Sequence, residues 1–275
     1  MLYIHQSNFD TKIESNYHSK GVALRKFKEE YYEPFRKALY NTDFTNPTME
    51  TFFEATKLIN VYAKRLSEFI GENGITSQSK LESTLLEELS VYLFKDIPEV
   101  KRKRLDFYNR GIFAGLKINS DLSLDIIKKD VDFCIGRKIK LTIEDQKPIV
   151  LTIPLVSVEV KTYLDATMFG EVKSSSKTLK SANPNSKAYV LMGYKCLADE
   201  HVLAARQDST LDEMFVLREG EGKTIDPYAL YIYWREITSA IINVTTNNTL
   251  SVPGRLLMYN DMYKRLVAEK NMFKE

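Results

Sequence analysis

Three residues in this sequence have the types and spacing to act together on a phosphate ester: Asp132, Glu159 and Lys161. Glu159 and Lys161 stand two apart inside the apolar run "PIVLTIPLVSVEVKTYL" (148–164). On a strand they share one face while Val160 points to the other. Asp132 opens a second apolar run, "DFCIG", on the strand before it. If the two strands pair as a hairpin, all three side chains converge. Carboxylates are hard oxygen donors suited to Mg²⁺, with Mn²⁺ as a substitute. Such an ion acidifies a bound water and offsets charge on a phosphate. A lysine beside them can orient that water and neutralise the phosphate. The chemistry expected is metal-dependent phosphodiester hydrolysis. The alternative is a plain ion pair, although isolated charges in so apolar a stretch are costly unless they serve a purpose.

Other candidates surround this trio. Asp130 lies on the same face as Asp132 and competes with it. Asp132 is preferred because the unbroken apolar run begins directly after it. A third acid is expected from the helix "KLESTLLEELSVYLF", where Leu81, Leu85, Leu89 and Tyr92 mark one face at helical spacing. Glu88 sits at the edge of that face and Glu87 points away. Glu88 is therefore the candidate third metal ligand, against an alternative as a solvated glutamate. The segment "SSSKTLKSANPNSK" (174–187) reads as an exposed loop. With Lys173 just before it, and Lys177, Lys180 and Lys187 within it, the loop could contact DNA phosphates or simply be a soluble surface. The run "KRKR" (101–104) invites the same two readings. "GEGKT" (220–224) looks like the end of a phosphate-binding loop. It lacks the required glycine, because Leu217 stands there, so a plain connection is expected.

These residues need a scaffold. Residues 1–105 read as a mainly helical N-terminal region, suited to dimer or DNA contacts, that includes the first core helix. Residues 106–275 read as an α/β core with C-terminal helices. Within it, 130–143 and 148–164 should be neighbouring antiparallel strands, with Pro154 marking a bulge or break. "AYVLMGYK" (188–195) and "MFVLREG" (214–220) should be strands. "DPYALYIYWREITSAIINV" should be a helix capped by Asp226 with Pro227 at its first position. A last helix is expected from "PGRLLMYNDMYKRLVAEKNMF". The fold class is α/β, a central mixed sheet flanked by helices.

The bulk numbers restrict the classes. The 275 residues are 44% hydrophobic and 28% charged, ordinary for a globular protein. The net charge of +2 means that any nucleic-acid binding must come from local clusters. Three histidines and two distant cysteines argue against zinc sites and disulfides, and point to a reducing compartment. The polar N-terminus has no signal-peptide pattern, and no window is long and apolar enough to span a membrane.

The stretches "DVDFCIG" and "VEVKTYLDATMF" resemble the PD-(D/E)xK nuclease superfamily. More narrowly, "EVKTYLDATM", the upstream "STLLEELSVYLF" and the downstream "AYVLMGY" resemble the restriction endonuclease family that contains the BbvCI subunits and DdeI. The likeness covers roughly residues 80 to 240. It implies a type II restriction endonuclease acting on double-stranded DNA in the bacterial cytoplasm. It also implies a dimer, including a heterodimer with a related subunit in which each subunit cuts one strand. Asp132 and Glu159 would be metal ligands, Lys161 the catalytic lysine and Glu88 the helix acid. The superfamily pattern has proline before the first acid, where this chain has Val131. Two other functions remain open: a repair or junction-resolving nuclease on the same core, and a non-catalytic DNA-binding protein.

Overall fold

The computed structural model describes residues 2–121, 123–142, 148–198, 200–201 and 210–246. The helix expected from residues 253–273 lies outside them. Residues up to Thr238 belong to one compact unit, and Ser239–Glu275 to a second.

Five helices come first: α1 (Ile4–Glu14), α2 (Gly21–Phe27), α3 (Glu33–Asn41), α4 (Met49–Glu72) and α5 (Leu81–Phe94). The π-helical stretch Lys28–Tyr32 joins α2 to α3. Thr48 caps α4 through a reciprocal bond with Thr51. The N-terminal residue of α5 is flanked by Ser79, whose hydroxyl accepts from Leu81 N at 3.4 Å. Nearly the whole surface of α5 is buried, Glu87 and Glu88 included. A short α6 (Pro98–Lys101) follows.

The sheet has seven strands: β1 (Asp106–Tyr108), β2 (Ile112–Ile118), β3 (Leu124–Lys129), β4 (Phe133–Leu141), β5 (Ile149–Leu164), β6 (Lys187–Lys195) and β7 (Glu213–Val216). β5 is its axis. β4 runs antiparallel along one edge of β5, from Leu141↔Ile149 to Phe133↔Val158. The other edge meets β2 at Thr152 and then β6, in parallel, from Val156 onward. β7 extends the sheet in parallel beyond β6. The strand is unbroken at Pro154. The register with β4 slips there, leaving Leu155 unpaired, the bulge that lets a proline sit inside a ladder. Gly136 faces this point, and a Cβ on it would come 2.4 Å from Ile153 O.

Two layers of helix cover the sheet. On one face Phe133 and Phe215 pack on Phe94 and Tyr233, the latter from α8 (Pro227–Thr246). Asp226 caps α8, accepting from Tyr228 N at 2.7 Å. On the other face lies α7 (Ala166–Ala182), whose Phe169 and Val172 pack with Val190 and Met192. Leu179 of α7 packs with Ile112, Ala114 and Cys134.

α7 corrects the expectation of a loop over 174–187. Asp165 caps it through Met168 N at 2.8 Å, and Phe169, Val172 and Leu179 supply a helical stripe. The serine run hides that stripe, because serine favours turns when read locally. In the fold Ser175 and Ser176 are buried where small side chains let the helix lie close over β5.

Candidate active site

The ladder between β4 and β5 ends at Phe133↔Val158. The next N–H on that edge belongs to Val160, and Asp132 Oδ2 accepts it at 2.7 Å. The carboxylate thus takes the place of a strand partner, which fixes its position. On β5, Val158 and Val160 are buried on one face. Glu159 and Lys161 stand on the other, level with Val190 and Met192 of β6. Lys161 Nζ lies 3.6 Å from Asp132 Oδ2 and 3.8 Å from Glu159 Oε2. Ser175 of α7 donates to Glu159 Oε1 at 2.7 Å. The three side chains expected to converge are therefore brought together. All three keep partial access to solvent.

Asp130 is placed elsewhere. Its Oδ1 accepts from Gly111 N at 2.9 Å and holds the turn before β2.

Glu88 also lies away from the trio, contrary to expectation. It is 1% exposed and points into the N-terminal helices. Oε1 accepts from the hydroxyls of Tyr32, at 2.6 Å, and Tyr92. Oε2 accepts from the backbone of His5 at 2.8 Å and Gln6 at 3.2 Å. With both oxygens engaged there, it has none to offer at β5. Glu87 takes the other side: burial first, and then the charge of Asp132, push its carboxyl up to about 8, with Lys161 and Glu159 also in range. The expected face assignment failed because α5 is buried all round.

The four lysines expected at DNA have different surroundings. Lys180 and Lys187 clamp Asp212, at 2.7 and 2.8 Å. Burial would raise the Asp212 carboxyl, but hydrogen bonds from these lysines and Ala188 N hold it below its usual range. Lys173 lies over the Phe169 ring, 5.8 Å from its centre. Lys177 is exposed on α7.

The donor set fits a hard divalent cation. Glu159 is pushed up by burial and then by the neighbouring charge of Asp132, against the pull of Ser175 and Lys161. Two crowded carboxylates with one nearby ammonium are short of positive charge. Among the described residues no three acid, histidine or cysteine side chains could hold a metal by themselves. Mg²⁺ does not need them, since one or two carboxylates suffice when water and phosphate complete its shell.

Comparison with known proteins bears on this arrangement. Among solved structures, the native BbvCI A2B2 tetramer at low resolution is similar with a TM-score of 0.74 at 13% identity, covering 90% of this chain and 99% of that one. At that identity the likeness is one of fold. No curated protein matches the sequence. Among the described residues no helix is long and apolar enough to cross a membrane. The family model of the Bpu10I restriction endonuclease matches residues 78–230, a span that holds α5, β5, α7 and the whole trio. The chain belongs to the Bpu10I restriction endonuclease family, a family of type II restriction enzymes.

Proposed function

We propose that the protein is one subunit of a Mg²⁺-dependent endodeoxyribonuclease that hydrolyses one strand of a short, specific double-stranded DNA site. Its centre is of the PD-(D/E)xK kind. The observation that carries this reading is the convergence of Asp132, Glu159 and Lys161 at the edge where β4 leaves β5. Asp132 and Glu159 would hold the ion. Glu87 stands behind them as the third acid in place of Glu88. Mn²⁺ has the same preference for oxygen donors and should substitute.

When bound, the ion supplies positive charge to the phosphate and acidity to a water. The chain's own groups do the rest. The Val160 N–H fixes Asp132, and Ser175 fixes one oxygen of Glu159, so neither carboxylate must reorganise as DNA arrives. Lys161, between the carboxylates, donates hydrogen bonds to a phosphate oxygen or to the attacking water. In the reaction a water oxygen bonds to phosphorus as one ester P–O bond breaks. The water's proton leaves to solvent or a neighbouring base, and the departing ester oxygen takes up a proton from solvent. The BbvCI structure is an A2B2 tetramer, which supports assembly of this chain with a related subunit.

The test is cleavage of a sequenced supercoiled plasmid with Mg²⁺, with and without the partner subunit, beside Lys161→Ala. Wild type should give fragments or nicks at fixed positions, and Lys161→Ala should lower the rate by more than about 100-fold. Equal activity of the two proteins would remove the site assignment. Cleavage at structural features rather than at fixed sequences would point to a repair or junction-resolving enzyme.

A further inference from the structure

The parallel strands β5, β6 and β7 all end at the same edge of the sheet. In α/β sheets ligands bind outside the carboxyl ends of such strands. Here that edge opens on a groove of about 820 Å³ between α4, the start of α5 and the loop 218–224. Its lining includes Thr162 and Tyr163, which follow Lys161 directly in the chain, with Tyr194, Lys80, Arg218 and Lys223. Tyr163 and Tyr194 stack with ring centres 5.9 Å apart, and Tyr163 remains 39% exposed.

Arg218 is the unusual member. Its backbone N is fixed to Gly193 O at 2.8 Å, and the loop it begins is closed by Asp226 N on Leu217 O at 2.8 Å. Asn60 of α4 closes the same loop from outside, bonding both N and O of Ile225, at 2.8 and 3.1 Å. The guanidinium lies over Gly193, with Nη2 3.6 Å from where a Cβ there would stand. Yet Arg218 Nε is buried without a hydrogen-bond partner. A buried donor left unpaired calls for an explanation. A planar fork held on a rigid loop base suits a tetrahedral oxyanion. The acids of the groove do not supply one: Glu68 is engaged by Arg65 at 3.0 Å, and no ion pair joins Arg218 to Glu82 or Glu221 among the described residues.

We infer that this groove seats the sugar–phosphate backbone of the cleaved strand next to the scissile phosphate, with Arg218 holding one phosphate and Lys80 and Lys223 flanking it. The inference rests on the nuclease reading above. The volume suits a short run of one strand and not a whole duplex. The Tyr163–Tyr194 pair forms an apolar floor for a deoxyribose. The loop that mimics a nucleotide-binding motif in sequence thereby acquires a role, as a wall of the DNA groove.

The experiment measures binding of a linear plasmid fragment, in EDTA and over a range of salt, by wild type, Arg218→Ala and Lys223→Ala. Lys223 is exposed on the loop, so that variant keeps its fold. Each variant should bind about tenfold more weakly, with the slope of log affinity on log salt reduced by about 0.9. If both variants bind with wild-type affinity and slope while Lys161→Ala still abolishes Mg²⁺-dependent cleavage, the groove assignment is wrong and the nuclease reading stands. If wild type neither binds nor cuts DNA, with its partner subunit present, the nuclease reading falls and the groove with it.

Discussion

Asp132 serves the fold, and in the proposed reaction it also serves the chemistry. Its carboxylate ends a β-ladder by accepting Val160 N–H, and it stands 3.6 Å from Lys161. The two roles separate by substitution. Asp132→Asn keeps an acceptor for Val160 and loses the charge. Its melting curve should match wild type while plasmid cleavage disappears. Asp132→Leu also leaves the Val160 N–H unpaired, and should cost ~1–3 kcal/mol in a denaturant titration. Equal stability of the two variants would mean that the hydrogen bond carries no structural weight. The trio was legible in the sequence because strand alternation is strict, Glu159 and Lys161 interrupt an apolar run, and Asp132 opens another. Which glutamate of α5 faces the trio was not. Choosing Glu88 over Glu87 assumes that α5 has a wet side, and α5 has almost none. Nothing local in "LLEELS" says which of two adjacent buried glutamates turns to the helices and which to the sheet.

Among the elements, β5 was legible as one long strand and its bulge at Pro154 was foreshadowed by the proline itself. The neighbouring Gly136 was not singled out, because the close approach that demands it exists only across the ladder. Gly136→Ala should clash with Ile153 O, 2.4 Å from the new methyl. A loss of ~1–3 kcal/mol is expected from urea unfolding. Wild-type stability would show that β4 can shift to accept it. α7 was missed for the reason already given, that its serines imitate a loop. β3 (Leu124–Lys129) was missed because its residues are largely exposed, so no apolar face marks it.

At the scale of the molecule, the N-terminal helices are tied to the sheet through α5. His5 is fully buried, with its ring nitrogens paired to Thr84 Oγ1 at 2.9 Å and Tyr62 OH at 2.8 Å. Burial pushes its imidazole down to about 3, from an ordinary 6.5. The unfolded chain therefore takes up the proton first as pH falls. The stability from neutral His5 is complete above about pH 6.5 and is lost toward pH 3. Glu88, raised by burial, works in the opposite sense, so comparison with a His5 variant isolates the histidine. Between pH 7 and 5, wild type should lose up to about 2 kcal/mol more than His5→Gln does. Parallel pH curves would show that the folded histidine accepts its proton.

One consequence follows from the pairing of Glu87 with Glu88. Successive positions on a helix differ by about 100° of rotation, so α5 is keyed like a shaft with two teeth in different sockets. Point changes along it can be absorbed by repacking. A single-residue insertion or deletion ahead of Glu87 cannot, since it would turn both teeth out of register at once. The length of α5 before these glutamates should therefore stay constant among descendants of this sequence, even where the surrounding helices drift.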